Sequence, residues 1–432
     1  MLFRDDDRWI ERALLGADGE TLSVLLTDMN ADGWLDMFVG NDYNPPDQLW
    51  LSDGAGAFKP TPSDFIQDST SRWTMSLASG DVDGDLIPEI YSGNISGRSQ
   101  ALPRDPEEQC RHETGRELQA CLDYLQLIEP YHRARRAGNA VGCLSIQDPY
   151  FAEGCTLIAL TSPIMTKGGT GAEAVGELCE KIPEKWDKIK KLCHVRRAEK
   201  LSLLTDDELE QTIVSDSNAN VFFKKSSLGE NYKDIAETWG VEDGGWTWNA
   251  RFADLNHDES QDLYVVNGHS IARRRYQHKL FINKKDHFVD EAERAGIASG
   301  LAATSYSYVD IDRDGDLDII MVPLTGQVKV FENASSQSYT ANSIQFALRG
   351  KNANSHVIGA KIIIRYGDDG ARAQIRELQA SGGFASFDDP IIHFGLGAYE
   401  QIKSVEIIWP DGEESKLSVP LASGHRYEIR RQ

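Results

Sequence analysis

A surplus of basic side chains is missing from this 432-residue chain: 45 Lys and Arg stand against 68 Asp and Glu, a net charge of −23. No basic face is available to neutralise phosphates, which argues against nucleic-acid or anionic-membrane binding. Apolar runs of spanning length are absent as well, so no membrane span is expected. The N-terminal MLFRDDDRWIERALLG is charged and lacks the apolar stretch of a secretory signal. Enzyme signatures are equally scarce. There is no HExxH and no GxSxG, and GGTGAEAVG from Gly168 has neither the Lys-Ser/Thr of a P-loop nor Rossmann spacing, so it reads as a flexible turn. No CxxC pair exists, and the Cys193–His194 dipeptide is not part of a CxxCH haem motif.

What is present is acid, locally crowded. DIDRDGDLD, from Asp310 to Asp318, packs five aspartates into nine residues. Carboxylates this close repel and raise each other's pKa unless a cation sits among them. Side chains at positions 1, 3, 5 and 9 (Asp310, Asp312, Asp314, Asp318) offer hard oxygen ligands, Gly315 at position 6 permits the sharp turn, and Asp316 at position 7 can lend its carbonyl. A flexible oxygen cage of this kind suits Ca2+ better than Mg2+. An EF-hand would need Glu at position 12, where Met321 stands, and the following IIMV reads as a buried strand. The competing reading is a solvated Asp-rich turn.

The same spacing recurs in DMNADGWLD (Asp28, Asn30, Asp32, Trp34, Asp36) and in DLNHDESQD (Asp254, Asn256, Asp258, Ser260, Asp262), where Glu259 replaces the turn glycine. A fourth copy, DVDGDLIPE, keeps Asp81, Asp83 and Asp85 but places Leu86 at the glycine slot and Glu89 at position 9, which makes it the weakest candidate. The flanks repeat too. A small polar residue lies five positions before each loop (Ser23, Ser76, Asn249, Ser305), and a short apolar run follows it. Each unit is therefore strand, acidic turn, strand. Asp28 to Asp81 is 53 residues and Asp254 to Asp310 is 56, periods that fit four-stranded propeller blades rather than a helical solenoid. The segments QLWLSDGAGAF, NVFFKKSSLGENY and KLFINKKDHF read as one repeated outer hairpin, which leaves an insertion over roughly 99–217.

All six cysteines (Cys110, Cys121, Cys143, Cys155, Cys179, Cys193) fall in that insertion, whose apolar spacing is helical. Three disulfides are expected, with the pairing open; free buried thiols are the alternative. Disulfides require an oxidising compartment, and modest-affinity calcium loops suit extracellular calcium. The expected location is extracellular, cell-surface or periplasmic, with Met1 not the biological start of the secreted chain. Four units are few for a closed ring, so either something upstream or another chain, as a partner, is expected to supply further blades.

From about Asn342 the acidic loops stop. GAKIIIRYG, RAQIRELQASGGF, IIHFGLG, VEIIWPDGEE and HRYEIRR read as alternating strands of a separate β-sandwich-like domain. The acidic repeats resemble the FG-GAP or VCBS repeats of integrin-α-like β-propellers, and the tail IGAKIIIRYG, GGFASFDD, HFGLG, VEIIWPDGE closely resembles the ASPIC/UnbV domain. The combination is similar to the family of cartilage acidic protein 1 and its bacterial homologues. That resemblance implies Ca2+ in the DxDxDG loops and a secreted or surface-associated protein.

The resulting expectation is a mainly β fold: integrin-α-like β-propeller blades with calcium loops at 1–98 and 218–340, a helical disulfide-rich insertion at 99–217, and the ASPIC/UnbV domain at 341–432. The expected function is non-enzymatic, namely calcium-dependent binding, adhesion or scaffolding with a protein or glycan partner at the surface. The alternatives are an accessory subunit of a surface assembly and an enzyme of unrecognised type. Trp239, Trp246 and Trp248 could stack on a sugar, but their place before a strand favours packing. His393, in an apolar strand, reads as structural, and Arg273 to Arg275 read as a solvated loop.

Overall fold

The computed structural model describes residues 2–5, 8–11, 20–42, 46–62, 64–95, 215–268, 276–324, 326–335, 342–351, 354–379 and 383–431, with scattered positions between 110 and 184. The fold is mainly β. Leu2–Asp5 and Arg8–Glu11 form an antiparallel hairpin. Four antiparallel sheets then follow, each led by one of the serine- or asparagine-flanked segments. The first pairs Glu20–Thr27, Asp36–Asp42, Gln48–Ser52 and Phe58–Pro60 in sequence order. The second pairs Thr74–Gly80, Glu89–Asn94, Val221–Lys224 and Lys233–Asp234. Thr247–Ala253, Asp262–Asn267, Lys279–Asn283 and Phe288–Asp290 make the third. Ala303–Val309, Asp318–Pro323 and Lys329–Phe331 make the fourth. The three outer hairpins read from sequence are thus the last two strands of the first three sheets.

Strand periodicity explains how the sheets stack. Successive side chains of a strand point to opposite faces, and here each face finds its own core. Ile90, Val221 and Phe223 join Leu25, Phe38 and Leu49 between the first and second sheets. Their neighbours Tyr91 and Phe222 turn the other way, toward Leu263, Val265 and Phe281 of the third. Tyr264 and Val266 of the third sheet then face Tyr306, Tyr308, Ile319 and Met321 of the fourth. The continuous apolar runs after the second and third acidic loops are therefore strands buried on both faces, as sheet-on-sheet packing requires. The first strands touch in succession, Glu20–Thr27 to Thr74–Gly80 to Thr247–Ala253 to Ala303–Val309.

The second sheet is interrupted in sequence between its second and third strands. The chain leaves at Asn94 and is back at Ser217, and the two ends meet: the Asn94 amide donates to the carbonyls of Ser217 (2.9 Å) and Ala219 (3.0 Å). Ser215–Ser217 also pairs in parallel with Thr70–Ser71. Most of the intervening segment, with Cys179, Cys193, Gly168 and Gly97, lies outside the described residues, as do Arg273 to Arg275. The described positions between 115 and 126 are helical. Cys110–Cys121 and Cys143–Cys155 are disulfides, and no described cysteine is free.

The C-terminal part is two packed sheets. Asn342–Arg349 pairs with Ile392–Gly397 and, in parallel, with His425–Arg430. Lys361–Tyr366 lies between Arg372–Glu377 and Gln401–Ile408, which in turn pairs with Glu414–Leu417. Ile344, Phe346, Phe394, Ile362, Ile364, Val405 and Trp409 fill the space between the sheets.

Candidate metal centres

Each acidic loop joins the first two strands of its sheet, and all four adopt one backbone conformation. Positions 4 and 6 are left-handed in every copy: Ala31 and Gly33, Gly84 and Leu86, His257 and Glu259, Arg313 and Gly315. The second loop, degenerate in sequence, therefore keeps the shape, with its glycine at position 4 and Leu86 carrying a φ of +68° at position 6.

A common hydrogen-bond pattern fixes the last acid. One carboxylate oxygen of Asp36, Asp262 and Asp318 accepts the N–H of the residue after position 1 (Met29, Leu255, Ile311), at 2.8, 3.1 and 2.9 Å. The other accepts an N–H from the third strand or just beyond it (Ser52, Asn283, Asn333), at 2.9, 2.9 and 2.8 Å. Burial raises the Asp36 carboxyl to about 6 against these bonds, with Asp28 and Asp32 adding to the rise. Burial pushes Asp262 well up, and Asp318 up less. Desolvated, crowded carboxylates of this kind are stabilised by a cation.

The loops differ at positions 1, 3 and 5. In the fourth, Asp310, Asp312 and Asp318 each bring an oxygen within 4.8 Å of the others. Two oxygens on one calcium lie at most about 5 Å apart, twice the metal–oxygen distance, so this span fits a shared ion. Oδ1 of Asp310 is buried without a hydrogen-bond partner, and Oδ2 accepts from Gln345 at 2.7 Å. Asp314 contributes Oδ1 to the N–H of Asp316. The Asp316 side chain is fully buried and turned toward Nε2 of His257 at 3.4 Å, leaving its carbonyl as the group to offer a metal. The donor set fits Ca2+.

In the first and third loops position 1 is occupied by the chain itself. Asp28 accepts the N–H groups of Asp32 (3.1 Å) and Gly33 (3.0 Å), and Asp254 those of Asp258 (3.1 Å) and Glu259 (3.0 Å). Asn30 and Asn256 donate to Asp32 and Asp258 at 3.0 Å, whose other oxygens accept from Trp34 and Ser260. In the second loop Asp81, Asp83 and Asp85 converge within 4.8 Å, but Lys224 donates to Asp83, Asp85 and Glu89.

Sequence reasoning missed what covers these loops: the C-terminal domain sits on them. Lys361 Nζ reaches Asp28 at 2.8 Å. Arg372 and the Tyr366 hydroxyl hold Glu259 at 2.5 and 2.7 Å. The Ser343 hydroxyl and His393 Nε2 meet the Gly315 carbonyl at 2.9 and 3.1 Å. Arg251 pairs with Asp388, which also accepts the Tyr308 N–H at 2.6 Å. A cavity of about 720 Å³ remains between domain and loops, lined among others by Asp81, Asp254, Asp310, Arg376, Glu377 and His393. Burial raises Asp254 to about 7, with Asp258 adding to the rise and Arg376 opposing it. His393 is buried against the ring of His257, at 5.1 Å between centroids, and burial holds its pKa well down, as befits a structural histidine. The tryptophans pack: Trp239 on Phe222 and Phe288, Trp246 on Tyr276, Trp248 on Phe384.

Residues 28–92 match the FG-GAP-like repeat and residues 350–432 match ASPIC and UnbV, and the chain carries both modules. It is similar to cartilage acidic protein 1 of Mus musculus (26% identical over 170 residues, 38% of this chain and 25% of that protein). The corresponding proteins of Homo sapiens (26% over 186 residues, 41% and 26%) and Xenopus tropicalis (27% over 175, 38% and 25%) are similar to the same degree. The match spans about a quarter of the length of these curated relatives.

Proposed function

We propose that the four sheets are blades of an integrin-α-like β-propeller, that their acidic loops bind calcium, and that the protein is a non-enzymatic extracellular or cell-surface binding or scaffolding protein. The observation that carries this reading is the fourth loop, where the carboxylates of Asp310, Asp312 and Asp318 converge and Oδ1 of Asp310 is buried without a hydrogen-bond partner. Calcium there would neutralise desolvated charge and lock the turn between two core strands. The disulfides Cys110–Cys121 and Cys143–Cys155 support an oxidising compartment, and the similarity to cartilage acidic protein 1 points the same way. Calorimetric titration tests the metal. The wild type is expected to take up calcium at the fourth loop, and Asp312→Asn to bind one ion fewer. A wild type that binds none would overturn the reading.

A second reading, that further blades come from elsewhere, is favoured by the two ends of the row. Val24 and Leu26 of the first sheet are 40% and 41% exposed, and Val322 and Val330 of the fourth 45% and 56%. These are the positions that alternate with the inward-facing Leu25 and Met321, and in a longer row another sheet would cover them. Native mass spectrometry of the protein from its source tests this: a stoichiometric partner supports it, and a lone monomer sinks it.

A further inference from the structure

We propose that Lys224 is the resident cation of the second acidic loop, so that the unit bearing the insertion is closed without metal while calcium serves the other loops. The inference builds on the calcium reading above. It starts from what replaces what. In three loops the position-9 aspartate spends one oxygen on the N–H after position 1 and the other on an N–H from the third strand or just beyond it. In the second loop Glu89 keeps the first bond, Oε2 accepting the Val82 N–H at 2.9 Å. Its other oxygen, carried one methylene further, takes the Lys224 ammonium at 2.9 Å instead. The same ammonium reaches Asp85 at 3.1 Å and Asp83, so all three donors of the lysine are spent on carboxylates.

Register makes the substitution specific. Lys224 follows Phe223, the last residue of its strand paired with the second strand; the residues in that place in the other sheets are Leu51, Ile282 and Glu332. None of them is basic. The loop has not decayed in shape, since Gly84 and Leu86 hold the same left-handed positions as its three counterparts. The metal has been exchanged for a side chain, and a divalent ion on Asp83 and Asp85 would sit against a tethered positive charge. Burial works against the ammonium, but Asp83, Glu89 and Asp85 outweigh it and hold its pKa above that of an ordinary lysine.

The place in the fold gives the exchange a purpose. Glu89 opens the second strand and Lys224 ends the third, the two strands between which the long insertion leaves and returns. A tethered cation closes that seam whatever the calcium level.

Native mass spectrometry of the full chain in calcium, with three variants, tests the proposal. Asp83→Asn/Asp85→Asn is expected to bind as many ions as the wild type, Asp312→Asn one fewer, and Lys224→Gln one more. Loss of an ion in Asp83→Asn/Asp85→Asn, or a folded Lys224→Gln with no added ion, would overturn it. A wild type without calcium, beside a Lys224→Gln that binds one ion, would sink the calcium reading of the other loops and leave the role of Lys224 standing. Hydrogen exchange covers the case in which Lys224→Gln does not fold. In EDTA the wild-type Val82 amide should stay protected while the Ile311 amide exchanges faster; equal deprotection would reject the proposal.

Discussion

Asp262 and Asp312 belong to different loops, and their carboxylates have different work to do. Asp262 is fully buried and satisfies two backbone N–H groups. Each such group left unpaired costs about 1–3 kcal/mol. Asp262→Ala should therefore lower stability by roughly 2–5 kcal/mol in denaturant melts, in EDTA as well as in calcium. Asp312 is exposed and, among the described residues, accepts only the Asp314 N–H, so Asp312→Asn should cost stability in calcium alone; at a hundredfold excess over the dissociation constant that is about 2.7 kcal/mol. Asp47 sets a pH dependence away from the loops. It is buried, accepts from the Asn41 N–H and the Thr74 hydroxyl, and burial raises it from 3.8 to about 7. A carboxyl whose folded pKa is raised holds its proton more tightly when folded. Its contribution is thus fully present below about pH 4 and is lost as pH climbs through about 7. The midpoint of urea unfolding, in saturating calcium, should fall between pH 5 and pH 8, and Asp47→Asn should flatten that fall.

At the scale of the element, the loop is a backbone shape before it is a ligand set. Gly315 has a φ of +100°, a conformation that costs other residues on the order of 1–3 kcal/mol, and a Cβ there would come within 2.9 Å of Ser343 Oγ. Gly315→Ala should lose about that much stability in chemical denaturation and weaken the calcium affinity of its own loop. An unchanged melt would mean that the turn relaxes at no cost. That His257 and Glu259 hold the same conformation without any glycine shows that flanking strands and the buried Asp254 and Asp262 can impose it.

Across the whole molecule, the C-terminal domain and the loops hold each other. Gly395 lies so close to the third loop that a Cβ would stand 2.6 Å from His257 Cα and run into the Asp254 carboxylate, and the next strand end, Gly397, donates its N–H to the His257 carbonyl at 2.9 Å. Gly395→Val should therefore unseat the domain without emptying its own core. Two unfolding transitions are expected by calorimetry in the variant against one coupled transition expected of the wild type, together with faster proteolytic release of residues after 341. A single transition at the wild-type temperature would show that the contact carries no coupling.

The strands, the acidic turns and the sandwich could be read from the chain because each is written within a few residues: short continuous apolar runs for the two-faced sheets, DxDxDG for the turn, Gly and Asp between the C-terminal strands. The same locality explains the second loop. Its sequence departs from the pattern at Leu86 and Glu89, and in the structure the departure is where Lys224, more than 130 residues away, enters. Comparing the third strands would have exposed the lysine, since only there does a basic residue replace Leu51, Ile282 or Glu332. Nothing local announces that Lys361 meets Asp28 across 333 residues, or that the C-terminal domain seats on the loops at all. Hydrogen-bond geometry and side-chain period are short-range and belong to the sequence by itself. Which charge neutralises which loop is a question of through-space distance, and only the tertiary structure decided it.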